Sequence, residues 1–211
     1  MKVELLTNEN ILKDMEANAA IAALTCRGNA DKEHVPSEVL GRIIKAGHES
    51  ILEHITLTYS VKGLSRACLQ ELARHRHISL SVESTRHTLH KYVAMSDNEI
   101  VAFFDEYIAT LPIDKELVSV CCGEMLGVLK GVYMANPDIP NDELKYFLPE
   151  LWPTNLILTA NIRALRNILK LRTAPAALNE FRVLAYSLFA AVPEEFKYLL
   201  EDCVYKEAEK C

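Results

Sequence analysis

Ile55-Thr56-Leu57-Thr58-Tyr59-Ser60-Val61 alternates an apolar with a polar side chain at every step. Successive strand residues point to opposite faces, so this period of two marks a half-buried strand, built here from good β-formers. Gly63 is expected to end it, and Leu64–Ala73 then reads as helical. Upstream, a short strand at Lys2–Leu6 leads into a helix carrying Ile11, Leu12, Met15, Ala19, Ala22 and Ala23 at helical spacing. Pro36 opens a second helix through about Ala46, which Gly47 stops. Downstream, residues 98–135 read as mostly helical and Leu156–Thr159 as β-prone. A helix at Ile162–Leu171 follows, then one through Leu178, Phe181, Ala185 and Leu188, and a last one restarted by Pro193. The expected class is α+β (mixed α/β), a central small sheet flanked by helices. No Gly/Ser linker, low-complexity tract or repeat divides the 211 residues, so 1–211 reads as a single domain.

Half of the residues are apolar, enough for a real core, and 29 acids against 23 Lys plus Arg give a net charge of −6. That balance argues against coating nucleic acid or binding a membrane surface, both of which need a basic face. Ala19–Leu24 is too short to span a bilayer, and Glu4, Glu9, Asp14 and Glu16 leave no signal-peptide core in residues 1–16. A cytoplasmic protein is expected. The six cysteines form no C-x-x-C pair and read as reduced thiols. Gly123, Gly127 and Gly131 recur every fourth residue, a groove in which a second helix, from this chain or another subunit, would pack closely.

Net charge hides an asymmetry. From Arg66 to Lys91, five Lys/Arg face Glu71 and Glu83, a local +3; from Leu151 to Asn179, Arg163, Arg166, Lys170 and Arg172 give +4 with no acid. Two such cationic stretches in an acidic chain suit an anionic ligand, or else form solvated helix faces. Six of the seven histidines fall between His48 and His90. His75-x-His77 and His87-x-x-His90, with Glu53 or Glu83, have metal-ligand spacing, but the flanking arginines would repel a cation, and no metal is expected. Arg74-His75-Arg76 differs from the Arg-His-Gly of histidine phosphatases, although a phosphate-ester hydrolase using His75 stays open as an alternative. No G-x-G-x-x-G, Walker loop or G-x-S-x-G elbow is present. Arginine forks with serine hydroxyls suit phosphate oxygens and the carbonyls of a planar heterocycle.

Arg74-His75-Arg76, then Ser79, Ser84 and Arg86, resembles the RHR-x-x-S-x-N-x-x-S-x-R motif of flavin-dependent thymidylate synthases, with Ser81 at the usual Asn. Three further blocks resemble the family in order: Gly47-His48-Glu49-Ser50 with Glu53-His54, Gly63-Leu64-Ser65-Arg66-Ala67, and Asn161-Ile162-Arg163 with Leu165, Asn167 and Leu171-Arg172. The resemblance implies a homotetramer that makes dTMP from dUMP. It also implies a methylene from 5,10-methylenetetrahydrofolate, a hydride from reduced FAD, and NADPH to reduce the flavin. Ser50, Arg74, His75, Arg76, Asn161, Arg163 and Asn167 are then expected at FAD. Glu71, Arg74, Ser84, Arg86, Lys145 and Arg172 are expected at dUMP, with Arg172 as the catalytic residue on the pyrimidine. His48, Ser79 and Val82 are further candidates. The departures are Lys145 for a usual Arg, Glu71 for Gln, Val82 for Glu or Gln, His87 for Tyr, and Ala176 where some members carry His. Val82, Lys145 and His87 motivate one alternative, a non-catalytic paralogue that binds flavin or nucleotide.

Overall fold

The computed structural model describes residues 1–30, 33–109 and 114–206. The elements run β1 (Lys2–Leu5), α1 (Glu9–Thr25), α2 (Pro36–Lys45), a 3-10 segment (Glu49–His54), β2 (Thr56–Ser65), α3 (Arg66–Ala73), β3 (Ile78–Val82) and α4 (Thr85–Val93). There follow α5 (Asp97–Ala109), α6 (Lys115–Ala135), α7 (Asn141–Leu144), β4 (Pro153–Asn161), α8 (Ile162–Arg172) and α9 (Asn179–Ala190). The four strands pair in the order β1-β2-β4-β3, giving the mixed α/β class read from the sequence. Helix starts follow local chemistry. Asn8 Oδ1 accepts from the Asn10 N–H to open α1, Pro36 opens α2, and Asn161 Oδ1 accepts from the Ala164 N–H at 2.8 Å to open α8.

Two readings are corrected. Gly63 does not end β2: it takes φ +71°, donates its N–H to Asn155 Oδ1, and the strand continues to Ser65. Left-handed backbone at a glycine bends a strand without closing it. Ile78–Val82, to which the sequence assigns no element, is a strand, and Pro193 starts 3-10 segments (Glu194–Leu199, Glu201–Cys203) rather than an α-helix.

The contacts divide the chain into two compact units. The first holds Met1, Lys62–Gln70 and Val82–Leu156; the second holds Lys2–Val61, Glu71–Ser81 and Ile157–Cys211. The chain passes from one to the other inside strands β2, β3 and β4 and inside helix α3, so no linker marks the boundary. In the second unit the alternation of β2 places Leu57, Tyr59 and Val61 wholly in the core, with Leu158 of β4, Leu165, Ile168 and Leu169 of α8, and Phe181, Leu184 and Leu188 of α9. Burying each such side chain contributes roughly 1.5–3 kcal/mol. In the first unit Leu89, Tyr92, Phe104, Tyr107, Leu126, Leu129 and Trp152 form an aromatic-rich core. Helix α6 is long and apolar enough to cross a membrane, with mean hydropathy 1.5, yet Leu117, Val120, Val128 and Met134 stand exposed on it. At Gly123, Gly127 and Gly131 an added Cβ would meet nothing within 4 Å.

Candidate active site

In the second unit, a cleft of about 480 Å³ is lined by Glu49, Glu53, Arg76, His77, Asn161, Arg163, Ala164 and Asn167. That volume lies within the range of small-molecule sites. Three segments far apart in sequence build it: the 3-10 segment Glu49–His54, the turn from α3 into β3, and the first turns of α8. His77 takes φ +65°, a left-handed conformation that a β-carbon disfavours. Arg163, Ala164 and Asn167 lie on one side of the first turns of α8, and Asn161 caps its start. Arg76, Asn161, Arg163 and Asn167, four of the expected FAD residues, therefore meet at one place.

The acids of the cleft are neutralised. Arg163 donates to Glu53 Oε1 at 2.6 Å. Glu49 Oε1 accepts from Arg166 Nε at 3.0 Å and Lys170 Nζ at 3.1 Å. Burial alone would raise the Glu49 carboxyl, but the hydrogen bonds from Lys170 and Arg166 outweigh it and hold the carboxyl low. Arg166 is itself buried and also donates to the Leu199 carbonyl and to both oxygens of Asp202 at 2.6 Å. Ser50 and His48 lie exposed in and just before the 3-10 segment that carries Glu49 and Glu53.

Arg74 and His75 do not line this cleft; they belong to a second cluster of the same unit. Arg172, in the last turn of α8, donates Nε–H to His75 Nε2 at 2.9 Å and pairs through Nη1 with Glu71 Oε2 at 2.9 Å. Its guanidinium lies 4.6 Å from the centre of the Phe181 ring, which also packs T-shaped with the His75 ring. Glu71 also pairs with Arg74 at 3.4 Å. Burial would raise the Glu71 carboxyl, but Arg172 and Arg74 pull it below its ordinary value. This pairing answers the question that an acid at position 71 raises: its charge is taken up by two arginines. Ser79 is exposed on β3.

In the first unit, Ser84 precedes α4 and its carbonyl accepts from the Thr88 hydroxyl. Arg86 and Lys145 share one carboxylate, Asp142 Oδ1, at 2.7 and 3.5 Å, so the lysine keeps its charge within reach of Arg86. Val82 ends β3 partly exposed. Its neighbour Glu83 accepts from Asn155 at 2.6 Å and from the Tyr92 hydroxyl. Among the described residues, no three His, Cys, Asp or Glu gather as a metal site would require.

The sequence reading did not place Glu53 or His77 at the cleft. Both stand beside motif residues, which was the only available signal. The left-handed turn at His77 lacks the glycine that would mark such a turn in the sequence.

The cleft brings two arginines and two amides together, and the second cluster of the same unit holds an arginine by histidine and carboxylate; such donors suit an anionic, heterocyclic ligand. The family model of the thymidylate synthase complementing protein matches residues 5–196, and the chain belongs to that family. It is 40% identical over 184 residues to the flavin-dependent thymidylate synthase of Campylobacter jejuni, covering 87% of this chain and 86% of the relative. It is 39% identical over 180 residues to that of Wolinella succinogenes, covering 85% of each. A crystal structure of Helicobacter pylori thymidylate synthase X with FAD and dUMP superposes with TM-score 0.82 at 33% identity, covering 98% of this chain and 100% of that one.

Proposed function

We propose that the chain is a flavin-dependent thymidylate synthase that converts dUMP to dTMP. The methylene comes from 5,10-methylenetetrahydrofolate, and NADPH reduces the bound FAD. One observation carries the reading: Arg76 of the motif and Asn161, Arg163 and Asn167 of α8 line a single cleft, in a chain 40% identical to enzymes of that name.

The residues present fit FAD. Arg76 and Arg163 offer charged forks to a diphosphate, and Asn167 offers an amide to a heterocycle edge. Asn161 spends its carbonyl on capping α8 and keeps its amide N–H groups for a ligand. Bound FAD supplies the hydride. Ser50, Arg74 and His75 complete the flavin set that the resemblance implies. For dUMP, Ser84, Arg86 and Lys145 are the phosphate and sugar residues, Arg86 and Lys145 exchanging Asp142 for the phosphate. Arg172 donates to the pyrimidine edge and stabilises the negative charge that develops at N3 and O4, a task suited to a permanently protonated planar fork. The chain's own contribution is placement and electrostatics, since the family uses no enzyme nucleophile. Cys68, Cys122 and Cys203 are buried, and burial pushes the Cys122 and Cys203 thiols up to about 11.

The working enzyme is a cytoplasmic homotetramer of one such domain per chain, and the exposed Gly123–Gly127–Gly131 face of α6 supports an assembly contact. Purified protein should be yellow, bleach with NADPH, and form dTMP from dUMP only with methylenetetrahydrofolate. The Arg172→Ala variant should lose that turnover. Flavin bound without turnover would point instead to the non-catalytic paralogue.

A further inference from the structure

An arginine side chain only donates hydrogen bonds. The 2.9 Å contact from Arg172 Nε to His75 Nε2 therefore requires a lone pair on that nitrogen and puts the imidazole proton on Nδ1. The ring is fixed in this pose. His75 is 8% exposed, its backbone N–H is bonded to the Leu72 carbonyl, and its ring packs T-shaped with Phe181, centroids 5.6 Å apart. Arg172 is 18% exposed and held on two sides, by His75 at Nε and Glu71 at Nη1, with Phe181 beneath it. Three of its five N–H groups keep no protein partner among the described residues.

We propose that His75 is a positioning residue for Arg172: as the Nδ1–H tautomer it accepts the Arg172 Nε–H and, with Glu71, aims the remaining guanidinium N–H groups at the ligand. This assigns His75 a task apart from the flavin contact the resemblance implies, and only its kinetic consequence rests on the proposed function. The charged groups around the ring are Arg172 from α8, and Glu71 and Arg74 from α3 and the turn after it; α9 contributes Phe181. Burial first, then the Arg172 charge, lowers the His75 pKa below its ordinary 6.5, with Glu71 opposing and Arg74 reinforcing the shift. Protonating Nε2 would turn acceptor into donor and set two cations against each other.

The test reads the imidazole nitrogens directly. In ¹⁵N-histidine-labelled protein without ligands, the resonances missing from His75→Gln assign His75. The expected result is an unprotonated Nε2 and a protonated Nδ1 at pH 7.5, persisting below pH 6.5, and a return to the ordinary mixture of tautomers in Arg172→Ala. An Nε2–H at pH 7.5, or a tautomer unchanged in Arg172→Ala, overturns the proposal whether or not the protein makes dTMP. In the active enzyme, His75→Leu should lower kcat by roughly a hundredfold through misplaced Arg172, with little change in the KM for dUMP. His75→Gln, whose amide oxygen can accept the same N–H, should recover most of it and lose the acid limb of the pH profile. Equal defects in the two variants would contradict a role through the acceptor.

Discussion

Replacing Arg166 with methionine probes the ion cluster behind the cleft. The side chain is 2% exposed and makes four charge-assisted hydrogen bonds: one to Glu49, one to the Leu199 carbonyl and two to Asp202. Taken at about 1.5–3 kcal/mol each they would sum to far more than the variant will lose, because the abandoned partners are not equally buried. Asp202 is 49% exposed and regains water, and Glu49 keeps Lys170. Breaking a buried pair costs about 3–5 kcal/mol, and these two features place Arg166→Met near 3 kcal/mol. For a chain of this size that lowers Tm by about 6–12 °C. Arg163→Met is the control. Its pair with Glu53 has side chains 53% and 48% exposed, so the loss should stay under about 1 kcal/mol. Thermal unfolding followed by circular dichroism compares the two without ligands. Melting temperatures within about 2 °C of each other would refute the claim that burial, not charge alone, sets the contribution of these arginines.

Tyr59→Phe should leave stability unchanged or raise it by about 1 kcal/mol in urea denaturation. The Tyr59 hydroxyl is buried without a partner among the described residues, and burial pushes its pKa upward. Gly63→Ala should destabilise by about 1–2 kcal/mol: the left-handed φ of +71° strains an L-residue, while the nearest atom, 3.7 Å away, leaves room for the methyl. Asn161→Ala should remove the α8 cap, costing about 1 kcal/mol, and also weaken FAD binding measured by flavin fluorescence. On acidification, Glu49 and Asp202 should destabilise the fold. Burial would raise both carboxyls, but Arg166 (and Lys170 at Glu49) holds them below their ordinary 4.5 and 3.8. Their contribution is complete above those values and disappears as pH falls through the lowered ones, so Arg166→Met should flatten the acid side of a stability–pH curve.

Much of this was legible in the chain before the coordinates. The alternation from Ile55 to Val61, the proline at 36 and the helical run from Ile162 are local signals, and each element stands where its signal put it. Strand β3 was hidden because Ile78-Ser79-Leu80-Ser81-Val82 is short and sits inside a run of motif residues. The division into two units was hidden because the chain crosses between them within strands and within helix α3. The arginines of the motif and of α8 were visible as charge, but not their division of labour. Which one lines the cleft and which one pairs with Glu71 depends on a single left-handed turn at His77 and on the helical phase from Asn161 to Arg172.

The most direct measurement is turnover by the purified chain under anaerobic conditions with dUMP, methylenetetrahydrofolate, NADPH and FAD, with dTMP quantified against Arg172→Ala. Formation of dTMP by the native protein and its loss in the variant, with FAD still bound by both, is the expected result. Full activity in Arg172→Ala, or no dTMP from native protein saturated with FAD, would contradict the assignment.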